Sequence, residues 1–118
     1  MCGIYGFSTK KPSKENAEMF RRLMLASSFR GRDATGILFV TPDKKITHHK
    51  LDVTAEEYER KYLPEFMEGL SHAVVALGHV RAATMGSEKI NDNNHPVESD
   101  NWFCIHNGQL HDLPRILP

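Results

Sequence analysis

Only two cysteines, Cys2 and Cys104, occur in this chain. Two thiols cannot make the multi-bridge framework of small secreted domains, and a reducing compartment keeps both free. An excess of either charge is also missing, because 15 Lys plus Arg balance 15 Asp plus Glu. No global attraction to nucleic acid or to acidic membranes follows from that balance, and neither is expected as a partner. Long apolar runs are absent too. The longest stretches, such as Ala73 to Leu77, are far too short to span a bilayer. The N-terminus lacks a charged region followed by an apolar run and a small-residue cleavage site, so no signal peptide is expected and the default location is the cytoplasm. There is no repeat, no low-complexity tract and no dividing linker.

What is present is an ordinary soluble composition, with 40% hydrophobic and 25% charged residues over 118 positions. That length suits one small domain, which should bury roughly 65% of the surface its unfolded chain exposes. The pattern of residues predicts a strand over 2–8, then a helix capped by Ser13 and running to about Ser27, with Ala17, Phe20, Leu23 and Met24 on its apolar face. A loop is expected over Gly31 to Gly36, then a hairpin of strands 37–40 and 46–51 around Pro42-Asp43-Lys44-Lys45. Thr54 and Glu57 form a capping-box pattern for a helix to about Tyr62, and Pro64 should interrupt it before a short turn ending near Gly69. A buried strand is predicted over 73–79, a polar loop over 87–100, a strand over 102–106, and a helix capped by Asp112. This order is α+β rather than a strict βαβ alternation.

Four short segments carry chemistry. In Met1-Cys2-Gly3-Ile4, removal of the initiator methionine would leave Cys2 with a free α-amine beside its own thiol. An α-amine titrates near ~8 and can serve as a neutral base, while a thiol near ~8.5 needs help to ionise. Nucleophile and base would then sit on one residue. Alone, the motif more readily describes a chance cysteine near a terminus. Arg30-Gly31-Arg32-Asp33-Ala34-Thr35-Gly36 describes a tight loop with fixed charges; a guanidinium there can grip a carboxylate or anchor the chain terminus, or the loop can be a solvated turn with an Arg–Asp pair. Gly78-His79-Val80-Arg81-Ala82-Ala83-Thr84-Met85-Gly86 follows the buried strand, where functional loops are often built. Arg81 there suits an anionic substrate group or a structural carboxylate, and Thr84 adds a hydroxyl. His106-Asn107-Gly108 is either a hairpin corner or an oxyanion hole built from the Asn107 amide and the Gly108 N–H.

Together and in this order, the four segments resemble the class II glutamine amidotransferases, members of the N-terminal nucleophile hydrolases. The quoted matches are Cys2-Gly3-Ile4, the Arg-Gly-x-Asp-x-x-Gly loop at 30–36, the Gly-His-x-Arg-x-x-Thr segment at 78–84, and His106-Asn107-Gly108. The likeness covers residue 2 to about residue 112. It implies an αββα sandwich of which only the first part is present, so that 1–118 is the N-terminal portion of one amidotransferase domain, truncated at its C-terminus. It also implies roles. Cys2 attacks the side-chain amide of L-glutamine, Asn107 and Gly108 hold the oxyanion, and Arg81 with Thr84 nearby binds the α-carboxylate. Arg30 positions the loop and the nucleophile end. Ammonia passes to an unknown acceptor on a synthase domain or subunit, and hydrolysis of the thioester releases glutamate. The family's aspartate for the glutamine α-amino group lies beyond Pro118, and Met85-Gly86 stands where some members have histidine or alanine before the glycine. The alternative function is a catalytically incomplete fragment acting as a binding or structural module; a third is an amide hydrolase of the same superfamily with another substrate.

No cofactor is expected, since no glycine is followed by Gly-Lys-Ser/Thr. No metal is expected either, because His95, His106 and His111 with Cys104 fit no compact zinc spacing. Cys104 itself reads as a small buried hydrophobe. His48-His49 reads as a solvated hairpin edge, and Arg21-Arg22 as the wet side of the first helix.

Overall fold

A computed structural model describes residues 1–84 and 86–108. Four antiparallel strands form the main sheet in the order β1 (Gly3–Ser8), β4 (Val75–Arg81), β2 (Ala34–Val40), β3 (Ile46–Leu51). Three helices, α1 (Lys14–Ala26), α2 (Ala55–Lys61) and α3 (Met67–Ser71), lie on one face. A separate two-stranded ribbon, β5 (Val97–Ser99) with β6 (Trp102–Cys104), follows. The described residues are α+β, as expected.

Local chemistry sets the helices where the sequence predicts them. Ser13 accepts from Asn16 N–H at 3.2 Å and starts α1; Thr54 accepts from Glu57 N–H at 3.2 Å and starts α2. The second half of the capping box is not made, because the Glu57 carboxylate turns to Lys61 at 2.8 Å, one turn on. Leu63–Phe66, with Pro64 in its first turn, forms a 3₁₀ turn, and α3 follows as far as Ser71, two residues past the predicted end.

Strand alternation then decides two environments. Tyr5, Ile37, Phe39, Ala76 and Val80 point to the helices and meet Ala17, Phe20, Met24, Tyr58, Leu63 and Leu70 in one dry core. Leu23 packs at its edge. The opposite face carries Gly36, Leu38, His79 and Arg81. The segment around Asn94–Pro96 crosses it so closely that a Cβ at Gly36 would overlap the His95 carbonyl oxygen.

Several expectations need correction. Gly31 to Gly36 is not all loop: β2 begins at Ala34, because Ala34, Thr35 and Gly36 pair with Arg81, Val80 and His79. The strand predicted over 73–79 runs instead over Val75–Arg81, so Gly78 to Arg81 are sheet and the loop starts at Ala82. The polar 87–100 segment contains a 3₁₀ turn at Asn91–Asn93 and strand β5. The final strand ends at Cys104 rather than His106.

His48 and His49 are not a solvated edge. The two side chains point to opposite faces, and both faces of β3 are covered. His48 Nε2 donates to the Pro96 carbonyl at 2.8 Å, while His49 Nδ1 and the Tyr58 hydroxyl share a 2.7 Å hydrogen bond beneath Tyr62 and Phe66. Cys104 is exposed, not buried, because the β5–β6 ribbon stands apart from the main sheet and Cys104 faces outward with Trp102. Arg22 is on the wet side of α1, whereas Arg21 bridges Glu18 on α1 to Glu59 on α2 at 2.6 and 3.1 Å. The helix expected at Asp112 lies outside the described residues, as do Met85 and His111. No described helix is long and apolar enough to cross a membrane.

Candidate active site

The antiparallel register of β1 on β4 sets Gly3 opposite Val80, which brings Cys2 to the end of β4. There the Ala82 N–H donates to Cys2 Sγ at 3.3 Å, and the Cys2 thiol reaches the Ala82 carbonyl at 3.6 Å. Arg30 closes the other side. It ends the 3₁₀ turn Ser28–Arg30 after α1, and its Nε donates to the Cys2 carbonyl at 3.0 Å. Its Nη2 contacts the sulfur of Met1, which is itself exposed. The chain leaves Arg30 through buried Gly31, where a Cβ would strike the backbone of Arg81 and Ala82.

The loop after Gly31 does not hold an Arg–Asp pair. Arg32 reaches outward to Glu56 at 3.2 Å. Asp33 turns inward: its N–H donates to the Arg81 carbonyl at 2.9 Å, and its carboxylate accepts the Ala83 N–H at 2.7 Å. Asp33 therefore fixes the Ala82-Ala83 backbone on which the Cys2 sulfur rests. The Arg-Gly-x-Asp motif carried that signal, although Asp33 drew no role from the sequence.

Asn107 arrives from 105 positions away, and its Nδ2 donates to the Cys2 carbonyl at 2.8 Å. Gly108 follows, exposed, with φ at 103°, a conformation that favours glycine. Cys2, Arg30 and Asn107 thus meet at one point. Thr84 is exposed three residues beyond Arg81.

Arg81 is only 6% exposed, at the end of β4 on the face away from the helices. Its Nη1 donates to Asn94 Oδ1 at 3.0 Å and its Nη2 to the Gly86 carbonyl at 2.8 Å, among other interactions. Asn94, fully buried, is the hub of that wall. Its Nδ2 donates to the Glu88 carbonyl at 2.9 Å and to Asn91 Oδ1 at 3.2 Å, and its carbonyl accepts from Lys50 Nζ at 2.7 Å. Burial pushes the Lys50 ammonium below its ordinary range, against the pull of Asp92 and Glu98. Sequence reading missed Asn94, because nothing local marks one asparagine in a polar loop as buried.

His79, quoted within a motif but given no role, sits behind Asn107. Its Nε2 donates to the His106 carbonyl at 3.1 Å, and its ring stacks on His95 with centroids 4.4 Å apart and planes 19° from parallel. Burial is the main cause that lowers the His79 pKa. Burial first, then the positive ends of His79, Arg81, Lys50 and His106, pushes His95 down to about 4. Among the described residues no group of three or more His, Cys, Asp or Glu side chains is placed to hold a metal ion.

Comparison with known proteins bears on this geometry. No family model matches the chain. It is 26% identical over 117 residues to a glutamine–fructose-6-phosphate aminotransferase (isomerizing) of Halalkalibacterium halodurans, a match covering 98% of this chain and 18% of that protein. It is 32% identical over 111 residues to the enzyme of the same name from Sulfurisphaera tokodaii, covering 93% of this chain and again 18% of the relative. The chain thus spans 18% of the length of the relatives it matches. The chain is a distant homologue of the class II glutamine amidotransferase region of these aminotransferases.

Proposed function

We propose that this chain is the N-terminal portion of a glutamine amidotransferase domain, and that Cys2, freed by loss of Met1, is its nucleophile. The observation that carries the reading is the meeting of Cys2 with Asn107 Nδ2 across 105 positions, with Arg30 gripping the same carbonyl. Both bonds fix the backbone of residue 2, and so set the Cys2 sulfur, which rests on the Ala82 N–H, beside Asn107 and Arg30.

In this reading the Cys2 α-amine, directly or through a water, takes the thiol proton as sulfur attacks the glutamine δ-carbon. Asn107 Nδ2 has a second hydrogen besides the one given to Cys2, and it faces the tetrahedral oxyanion together with the Gly108 N–H. One such donor is worth on the order of 3 kcal/mol in the transition state. The α-ammonium returns that proton to the departing nitrogen, so collapse expels ammonia and leaves a γ-glutamyl thioester, which water then hydrolyses to glutamate and the free thiol. The family likeness assigns the substrate α-carboxylate to Thr84 and to Arg81, which would share the donors it now gives to Asn94 and Gly86, and Arg30 holds the nucleophile end. The ammonia acceptor belongs to a synthase domain or subunit. The four-stranded sheet with its helices supplies one half of an αββα sandwich, and the β5–β6 ribbon begins the other.

A second reading, a non-catalytic module that works by association, has one observation in its favour. Ile4 at the sheet edge and Trp102 on the ribbon leave large apolar side chains 47% and 73% exposed.

Intact mass and a glutamine-like electrophile separate the two. Des-methionine protein should gain one adduct, mapped to Cys2, and Cys2→Ala should lower that labelling by at least about 10³-fold. A processed, folded sample that stays unlabelled, or is labelled at Cys104 alone, would rule out the catalytic reading.

A further inference from the structure

The turn that delivers Asn107 has few local supports. Strand β6 ends at Cys104, so His106 and Asn107 lie outside the ladder. Two histidines hold that turn instead. His106 donates its backbone N–H to His95 Nδ1 at 3.2 Å, and its carbonyl accepts from His79 Nε2 at 3.1 Å. Both backbone groups of one residue are therefore tied to a stacked ring pair.

These bonds dictate protonation states. A nitrogen that accepts from an N–H carries no proton, so His95 Nδ1 is bare. A carbonyl can only accept, so His79 Nε2 carries its hydrogen, and among the described residues His79 Nδ1, like Asn107 Oδ1, is buried without a hydrogen-bond partner. A proton added to His95 Nδ1 would remove the acceptor of the His106 N–H. Protonation of His79 is a different case, because the His106 carbonyl and the Asn107 side chain favour it even as burial opposes it.

We propose that His79 and His95 are positioning residues that hold Asn107 on Cys2 through the His106 backbone, and that the His95 half of the clamp holds only while that ring is neutral. The inference rests on the amidotransferase reading for the purpose of the clamp, while the clamp itself stands on hydrogen bonds and stacking. The groups acting on His95 are His79 and Arg81 from β4, Lys50 from β3, and His106 from the turn it holds; all are cationic or become so in acid, and none favours its protonation. Acid therefore weakens the clamp. Since the folded His95 pKa, about 4, lies below the ordinary 6.5, its stabilising contribution is complete above 6.5 and is lost as pH falls through 4.

The test pairs NMR with labelling, using the full chain. Wild-type protein is titrated while the His95 ring, the His106 backbone amide and the Asn107 carboxamide are followed, beside core amides on α1 as a monitor of folding. His95→Asn keeps an acceptor near the Nδ1 position and cannot titrate, whereas His95→Leu removes the acceptor. The His106 and Asn107 signals of the wild type should move together with the midpoint of the His95 ring, and this step should vanish in His95→Asn. Where acid unfolding comes first, its midpoint should lie at lower pH in His95→Asn than in wild type.

At neutral pH, Cys2 labelling in His95→Asn should stay within about tenfold of wild type, and in His95→Leu it should drop by about 10²-fold, the scale of a misplaced catalytic group. An unchanged acid step, or an unchanged unfolding midpoint, in His95→Asn overturns the clamp. Wild type that never labels at Cys2 but shows the coupled titration sinks the amidotransferase reading and leaves the clamp standing.

Discussion

On the helix side of the main sheet, Tyr5, Ile37, Phe39, Ala76 and Val80 bury carbon against carbon. On the other side, alternate residues of the same strands present His79, Arg81 and Gly36 to a loop held by hydrogen bonds from Lys50 and through Asn94. The first face is stabilised by area removed from water, is non-directional, and tolerates adjustment. The second depends on satisfying each buried polar group, so the loss of one partner leaves another stranded. Of the groups that touch Cys2, Ala82 and Asn107 belong to the loops at the end of the second face, while Arg30 reaches it from the turn after α1 on the helix side. A directional network is the cost-bearing way to place a donor to within fractions of an ångström, which a chemical site requires.

The comparison breaks most easily at its apolar half. Phe20, with no exposure and rings of Tyr5 and Phe7 against it, should cost about 3 to 5 kcal/mol of stability when replaced by Ala. Urea denaturation measures this, and a loss below 1 kcal/mol would mean the helix face is not the main core. The polar half should respond somewhat less. Asn94→Ala removes the acceptor of a buried guanidinium and should cost about 2 to 3 kcal/mol. It should also slow Cys2 labelling, whereas Phe20→Ala should leave labelling of the folded fraction unchanged; equal effects on labelling would erase the distinction between the faces.

The smallest effect sharpens the rule. Among the described residues the Tyr5 hydroxyl is a polar atom buried in the apolar half without a hydrogen-bond partner, and burial raises its pKa far above the usual phenol range. Tyr5→Phe should therefore be neutral within about 0.5 kcal/mol or stabilising, because a group that makes no bond is removed. A clear destabilisation in thermal melts would show that the hydroxyl has a role that carbon cannot replace.

Legibility in the sequence followed the same division. Helix α1 was readable from Ser13 and the spacing of Ala17, Phe20 and Met24, because capping and periodicity are local. The hairpin partner Ile46–Leu51 was readable for the same reason. The end of β4 was not. Apolar alternation stops at Val80, yet the strand continues through Arg81, since ladder hydrogen bonds to Ala34 extend it. Cys104 was misread because its apolar neighbours suggested burial, while Trp102 and Cys104 share the outward face of a ribbon. At the site, Cys2, Arg30 and Asn107 were legible as motif residues, which the fold brings together. Asp33, Asn94 and the roles of His79 and His95 were not, since each acts through a backbone group supplied by a distant segment.

By itself the sequence determined the elements whose signals lie within a few residues: caps, the amphipathic helix, the hairpin, and the four short motifs with their residue types. Tertiary structure alone decided that Cys2 rests on the Ala82 backbone, that Arg81 is buried under Asn94, and that Asn107 hangs from two stacked histidines. The reason is physical. Propensity and periodicity are properties of neighbouring residues, whereas a buried hydrogen bond exists only once strand register and loop packing have brought both partners out of water together.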